Sequence, residues 1–344
     1  MENFSTTERD LVPAKVLSSA TSGAAELFNF NGGDVGKIFS EAGIREQDCD
    51  NPISEVNLSQ YCNLFELAAK ETKNPNIGLH FGHGFKPEQL GMIGYAAISS
   101  PTLASGLKSM ENYFPAHQGR TSFSLFQDDG IMWLQYHILD PRIKNKRQDA
   151  ELSLGMFCNI FKAAHGQEWA PLEIRFEHTE PEDAAEHEKL FNSKVLFGRR
   201  TNAIAFKKSN LDIRMPGNDP YLLSMVRAFL EGRCTQISNP IDLATIVRNE
   251  VTMQLGTSIP SLNEVASILG MTDKNFQKKL RINGLSFPEI LRAARHELAL
   301  HYMDDPEMSL TEIALNLGYS ELSAFSRAFR NWTGMSPQSF RTVS

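Results

Sequence analysis

The sequence predicts two parts of different fold class. The first is an α+β domain, a helical lead-in followed by an antiparallel sheet interleaved with helices, and not a jelly roll. The second is all-α, with two helix-turn-helix units joined by a linker helix. Three observations carry this reading. "SLNEVASILGMT" from Ser261 returns as "SLTEIALNLGYS" from Ser309, forty-eight residues on. A capped helical stretch separates the two copies. Alternating apolar segments mixed with helical periodicity fill the first two hundred residues. A length of 344 residues also suits about two domains. The expected spans are 1–215 for the first domain, 216–238 for a connecting helix and linker, and 239–344 for the second domain. The helix-turn-helix units fall at about 261–281 and 309–330.

Composition bounds the class. With 41% hydrophobic and 22% charged residues the chain resembles an ordinary globular protein. No apolar run approaches the roughly 18 residues of a membrane span, so no membrane association is expected. The start, "MENFSTTERDLVP", holds acids and no apolar core, unlike a secretory signal. Cys49, Cys62, Cys158 and Cys234 are scattered without a C-x-x-C pair. They fit reduced thiols in a cytoplasm better than disulfides or a zinc site. A net charge of −7 argues against a polyanionic partner until it is divided. Residues 239–344 hold ten Lys/Arg against eleven Asp/Glu, and residues 1–238 hold twenty-four against thirty. Within the second part, Lys274–Arg281 carries four bases and no acid, and Arg327–Arg341 carries three and none. Local sign decides where a polyanion can sit.

In the first domain the pattern is helical up to Gly84, through "LSQYCNLFELAAKETK" and "NIGLHFGHGF". Thr102 to Tyr113 reads as a helix between Pro101 and Pro115. In "RTSFSLFQDDGIMWLQYHIL", Phe123/Leu125 and Met132/Leu134/Tyr136/Ile138 alternate around "DDG", a hairpin signal. A helix from about Gln148 to His165 follows. "LEIRFEH" predicts a strand with Leu172, Ile174 and Phe176 on one face. A helix opened by Pro181 and a second hairpin, "KVLFGRRTNAIAF", complete the domain. "PYLLSMVRAFLEG" carries an apolar stripe of Leu222, Leu223, Val226, Phe229 and Leu230 that suits a dimer seam or a lid on the core. "RCTQISNPID" reads as the linker, and "DLATIVRNEVTMQL" as the helix behind the first helix-turn-helix.

The second domain is more explicit. Ser261 with Glu264 forms a capping box, in which the hydroxyl caps a helix start and the carboxylate reaches back to the first amide. Val265, Ala266 and Leu269 make an apolar stripe, and Gly270 suits a left-handed stop. Thr272 can cap a second helix whose inner face is Phe276 and Leu280. Ser309, Glu312, Ile313, Ala314, Leu317 and Gly318 repeat each step, with Phe325 and Phe329 inside the next helix. This is helix-turn-helix grammar. Two copies are too few for a solenoid, which needs about three. "NGLSF" around Gly284 answers "TGMSP" around Gly334, so two single-residue insertions separate the copies. Ser286 and Glu289 open a further helix, "FPEILRAARHELALHYM", over Phe287 to Met303. Seventeen residues make a rod of roughly 25 Å, compatible with the ~34 Å between successive major-groove faces. Away from the inner residues lie Lys274, Gln277, Lys278 and Arg281 on the first unit. Ser323, Ser326, Arg327 and Arg330 hold the same places on the second. Gln, Lys and Arg can bond base edges, while serine and outer arginines suit phosphates.

"SLTEIALNLGYSELSAFSRAFRNWTGMSPQSFR" resembles the signature half of the AraC family of bacterial transcription regulators. "FPEILRAARHELALHYM" is similar to that family's linker helix, and "SLNEVASILGMTDKNFQKKL" to its first helix-turn-helix. The resemblance covers about the last hundred residues. It implies double-stranded promoter DNA as a partner, a recognition helix in each major groove, and action through RNA polymerase, as an activator more than a repressor. Carried over by position, the resemblance makes Lys274, Gln277 and Lys278 the base-reading candidates of the first unit, and Ser323, Ser326 and Arg327 those of the second. Many relatives have arginines at Lys274, Lys278 and Lys279; lysine lacks the bidentate fork, which points to less sharp base reading by the first helix or more reliance on phosphates. "GMIGYAAISSPTLASGL", "EIRFEHTEPEDAAEHEKLF" and "NAIAF" resemble the branch with an arabinose-binding-type N-terminal domain, represented by ornithine-utilisation and some virulence regulators. That branch implies an effector-sensing domain, a small-molecule effector and a homodimer.

Other residues were weighed for chemistry. His80 and His83 could ligate a metal, but no third ligand completes a set. Phe114, Phe123, Trp133, Tyr136, Phe157 and Phe161 could line an effector pocket, though aromatics at this spacing more often form core. His178, Glu180 and Asp183 could do acid–base work; Thr179 or Glu180 capping a helix is the plainer role. No nucleophile elbow, phosphate loop or zinc spacing is present, so no catalytic residue, metal or cofactor is expected. The alternatives are a DNA-repair or modifying enzyme with a fused regulatory C-terminus, and a regulator governed by a protein partner without an effector.

Overall fold

A computed structural model describes residues 13–128, 130–140, 142–236, 247–248, 250–251, 254–255, 259–269, 271–303 and 308–343. The chain divides into two units, Met1–Pro240 and Ile241–Ser344. The N-terminal leader, Gly270, "DDP" and most of "RCTQISNPID" and "DLATIVRNEVTMQL" lie outside the described residues. Among the described residues no helix is long and apolar enough to cross a membrane.

The first unit begins with a two-stranded antiparallel sheet, β1 (Lys15–Leu17) on β2 (Glu55–Asn57), unannounced in the sequence because each strand is three residues long. Helices α1 (Ala24–Phe30), α2 (Val35–Ala42), α3 (Leu58–Thr72), α4 (Ile77–Gly84) and α5 (Met92–Ile98) surround it in sequence. Helix α6 (Leu103–His117) is capped by Thr102, whose hydroxyl accepts from the Ser105 N–H. It was expected to stop before Pro115. Instead Pro115 sits in the last turn, and only two residues of helix follow it. The hairpin of β3 (Thr121–Asp128) and β4 (Ile131–Ile138) forms as expected, pairing Phe123 with Tyr136 and Leu125 with Leu134. Helix α7 (Arg147–His165) then crosses the sheet.

Three sequence expectations fail beyond α7. The strand in "LEIRFEH" is only β5 (Glu173–Arg175), and Leu172 is 44% exposed rather than sharing the inner face with Ile174 and Phe176. The helix expected from Pro181 is α8 (Ala184–Phe191), whose N-cap Asp183 makes no side-chain capping bond, so neither Thr179 nor Glu180 caps it. The second hairpin does not exist. β6 (Lys194–Leu196) pairs in parallel with β5, while β7 (Asn202–Lys207) lies between β4 and β5. The reason is burial. Residues 202–206 are all buried, the signature of a central strand covered on both faces. β6 is a three-residue edge strand, reached from β5 by the α8 crossover that a parallel pair requires.

The sheet order is therefore β3-β4-β7-β5-β6. One apolar row crosses it in register: Leu125, Leu134, Ile204, Ile174 and Val195. On that face Phe157 and Phe161 of α7 meet Phe114, Phe123, Tyr136 and Phe206 at ring separations of 4.8–6.1 Å. Trp133 points to the opposite face, under the Arg175 guanidinium at 3.9 Å. These aromatics are core. Helices α4 and α7 touch backbone to backbone, because a Cβ on Gly82 would stand 2.3 Å from the Leu152 carbonyl oxygen. Helix α9 (Pro220–Gln236) uses Leu223, Val226 and Leu230 as a lid over Ala96 and Ala116 of α5 and α6.

The second unit is helical throughout its described residues: α10 (Leu262–Ile268), α11 (Asp273–Ile282), α12 (Phe287–Met303), α13 (Leu310–Asn316), α14 (Leu322–Thr333) and α15 (Pro337–Val343). It is built as two small cores on one rod. The first half of α12 gives Phe287, Ile290 and Ala294 to a core with Val265, Ala266, Phe276 and Leu280. The second half gives Ala299 and Met303 to a core with Ile313, Ala314, Phe325 and Phe329. Leu298 packs against both.

Candidate nucleic-acid interface

Each bent pair is closed by the same bonds. In the first, the Glu264 N–H donates to Ser261 Oγ at 3.2 Å, and the Ser261 N–H donates to Glu264 Oε2 at 3.1 Å. In the second, the matching bonds join Ser309 and Glu312 at 3.2 and 2.8 Å. Those bonds hold the Glu312 carboxyl below its usual range. After the first helix the chain folds back, with the Met271 N–H on the Ala266 carbonyl at 2.8 Å and the Tyr319 N–H on the Ala314 carbonyl at 2.9 Å. Gly318 takes φ +74°, the left-handed geometry expected at this turn.

The two second helices, α11 and α14, turn their aromatic faces inward. Phe276, Phe325 and Phe329 are fully buried, and Leu280 nearly so. On the opposite side of α11, Lys274, Gln277, Lys278 and Arg281 are exposed. On α14, Ser323, Arg327 and Arg330 are exposed and Ser326 is half-buried. Both sets follow i, i+3, i+4, i+7, one stripe along a helix.

One difference separates the copies. Helix α11 is capped by Thr272, whose Oγ1 accepts from the Asn275 N–H at 3.4 Å. Helix α14 begins one residue later in the repeat, and its N-cap, Glu321, makes no capping bond. Glu321 is the first inserted residue. Its carboxylate accepts from the Ser323 hydroxyl and lies 3.8 Å from an Arg327 terminal nitrogen. The sequence drew no attention to Glu321, nor to Arg295 of α12. The Arg295 Nε–H donates to the Leu317 carbonyl at 2.9 Å, and its guanidinium lies 4.8 Å over the Tyr319 ring. Only the tertiary fold brings those residues together.

In the first unit, the weighed histidines serve structure. His80 Nε2 is 2.9 Å from Glu186 Oε1, and its Nδ1 is 3.0 Å from the Asn74 amide. Glu186 also accepts from Asn76, and that bond, with His80, keeps its carboxyl low. Asn76 accepts from Arg147, which also bonds the fully buried Glu151, itself 2.8 Å from His187 Nε2. This chain of contacts ties α4, α7 and α8 together. The His83 imidazole is pushed down by burial. His178 Nδ1 bonds the Thr179 carbonyl at 2.9 Å, away from Glu180 and Asp183. Among the described residues no three His, Cys, Asp or Glu side chains group as metal ligands. All four cysteines are free thiols, and burial pushes Cys158 up to about 12.

Paired bent helices on a shared rod, each with a basic outward stripe, in a chain that also holds an α+β unit, define a DNA-binding transcription regulator of the helix-turn-helix class. Residues 32–215 match the arabinose-binding N-terminal domain of AraC transcription regulators, and residues 265–342 match a helix-turn-helix domain. The chain belongs to the AraC family, in the branch with that N-terminal domain. It is similar to the ornithine utilization regulator of Pseudomonas aeruginosa, 24% identical over 304 residues that cover 88% of this chain and 89% of the relative. It is likewise similar to the transcriptional regulator VirS of Mycobacterium tuberculosis, 24% identical over 293 residues, covering 83% and 84%. A crystal structure of the regulator CdpR from Pseudomonas aeruginosa aligns over 92% of this chain and 97% of its own, at 18% identity and a TM-score of 0.45.

Proposed function

We propose that this regulator is a sequence-specific activator that lays α11 and α14 in neighbouring major grooves of promoter DNA and acts with RNA polymerase. In this reading Gln277 and Arg327 bond base edges, glutamine suiting adenine and the arginine fork suiting guanine. Lys274, Lys278, Arg281 and Arg330 hold phosphates on either side, while Ser323 and Ser326 give short, neutral hydrogen bonds near the helix N-terminus. Residues 239–344 form the DNA-binding part, 216–238 the connection, and 1–215 the sensing and dimerising part. A small-molecule effector shifts the balance between DNA-competent and incompetent arrangements by its difference in affinity for the two. The protein works in the cytoplasm as a homodimer and carries no catalysis of its own.

One observation supports this most: two helices with buried aromatics and the same four outward offsets, both seated on α12. The test is binding of the full-length protein to DNA from its own upstream region. Lys278→Ala and Arg327→Ala should each weaken binding by about 1–3 kcal/mol, roughly 5- to 150-fold. Losing Lys278 should act evenly on all sequences and flatten the salt dependence, whereas losing Arg327 should relax the preference at one base pair. Unchanged binding by both variants would remove these assignments.

A further inference from the structure

A cavity of about 340 Å³ opens in the first unit where α3, the segment entering α7, the chain after β5 and the start of β7 converge. That volume lies within the ~300–1,000 Å³ typical of small-molecule sites, and is about ten times one water's share of the liquid. Its lining side chains are polar or charged with one exception, though their hydrocarbon stems make up the larger part of the exposed wall. Ala150 is the sole hydrocarbon side chain among the residues lining it.

The chemistry it accepts follows from which lining groups are already engaged. Glu177 is hydrogen-bonded to His137 and lies 3.3 Å from Lys146 Nζ, so its charge is met within the protein. Glu66 Oε1 accepts the Gln148 N–H at 3.0 Å and caps the first turn of α7. Arg147 is held on one side, by Glu151 through Nε at 2.7 Å and by Asn76 through one terminal nitrogen at 2.6 Å. Its other terminal nitrogen makes no such bond.

Two further groups keep an unspent donor among the described residues. Lys144 is exposed and makes no ion pair or hydrogen bond there. Asn202 is only 2% exposed, and its Oδ1 accepts the Glu177 N–H at 3.0 Å. That bond settles which arm of the amide is which, and leaves Nδ2 as an unspent donor on a buried residue in the cavity wall. Lys144, Asn202 Nδ2 and one Arg147 nitrogen are therefore uncommitted donors, and the exposed Asn145 amide offers both a donor and an acceptor. Among the lining cations, Lys146 is met by Glu177 and Arg147 by Glu151, so Lys144 is the one without an ion-pair partner among the described residues. One negative charge balances it, and a phosphate dianion would overshoot.

We propose that this cavity is the effector site and takes a small, polar, monoanionic carboxylate, gripped by Lys144 and by Asn202 Nδ2. A cationic ligand meets an ammonium without an ion-pair partner among the described residues. The proposal rests on the reading of the first unit as a sensor. It also puts the ligand against the first turn of α7, the helix that carries one side of the aromatic core.

The test uses full-length protein at matched ionic strength, with lactate, gluconate and L-glutamate as carboxylate probes, and inorganic phosphate and putrescine as contrasts. At least one carboxylate should raise the melting temperature of the unaltered protein by about 5–10 °C at ~100 times its dissociation constant. Lys144→Glu, a surface change that leaves the core intact, should weaken that probe at least tenfold, and Asn202→Ser should weaken it as well. No stabilisation by any of the three carboxylates overturns the proposal. So does stabilisation by phosphate or putrescine alone, or equal stabilisation of the Lys144→Glu variant. Probe-free DNA binding by the unaltered protein, measured alongside, reads the regulator function separately.

Discussion

Arg295, on the linker helix, donates its Nε hydrogen to the carbonyl of Leu317 at the end of α13, 2.9 Å away. A helix end leaves its last carbonyls without intrahelical partners, and here a guanidinium from the shared rod supplies one. The same group covers the Tyr319 ring; burial pushes that phenol up, and the Arg295 charge opposes the rise. The contact pins the second bent pair to the rod. Arg295→Ala should cost about 1–2 kcal/mol of stability in chemical denaturation. Helix content should stay near normal by circular dichroism. Affinity for a site with both half-sites should fall more than either half-site's contacts explain, because the register between the recognition helices loosens.

Glu321 restrains its own recognition helix. It bonds Ser323, stands 3.8 Å from Arg327, and sets a negative charge beside the proposed phosphate path. Glu321→Gln should tighten DNA binding at low salt, by up to about fivefold, the scale of an exposed pair. The gain should shrink as salt rises. An acid at a helix start also favours the helix by ~0.3–1 kcal/mol, so slightly lower thermal stability should accompany tighter binding. Anisotropy titrations at two salt concentrations separate the effects; weaker binding at both would contradict this role.

Gly82 and Leu152 set the distance between α4 and α7. A methyl on Gly82 would meet backbone atoms of Leu152 at 2.3–2.8 Å, and backbone cannot swing aside as a side chain can. Gly82→Ala should cost about 3 kcal/mol, the upper range for overpacking, and lower the urea midpoint markedly. Gly84→Ala, with open space around it, is the matched control and should cost well under half as much.

Two buried groups give stability opposite pH slopes. Asp149, bonded by the Tyr136 hydroxyl at 2.9 Å, is raised to about 7, chiefly by burial. Between the ordinary aspartate value and about 7 the folded protein binds the extra proton, so this group lowers stability as pH rises. Burial under α9 pushes His117 down to about 4. From about 4 to the ordinary histidine value the unfolded chain binds the extra proton, so His117 raises stability with pH. Asp149→Asn should make stability climb more steeply from pH 4 to 7, and His117→Gln should make it climb less. Denaturation midpoints at several pH values check both signs.

The C-terminal helices were legible because their signals are local. A capping box needs four consecutive residues, and an amphipathic stripe needs two turns, so α12 could be placed over Phe287–Met303 and the outward faces of α11 and α14 read directly. The β3–β4 hairpin was legible for the same reason. What failed was pairing. "KVLFGRRTNAIAF" looks like a hairpin by every local rule, yet β7 pairs with β4 and β5 because a strand buried on both faces belongs in the middle of the sheet.

By itself the sequence determined the family, the duplicated bent pairs and the basic stripes, since each depends on spacing within one or two helical turns. The tertiary structure decided the strand order, the grip of Arg295 on Leu317, and the cavity formed by Glu66, Lys144, Arg147, Glu177 and Asn202. Those residues come from four stretches of the chain that lie tens of residues apart in sequence. No periodicity records such distances; the burial of the apolar row across the sheet brings them around one cavity.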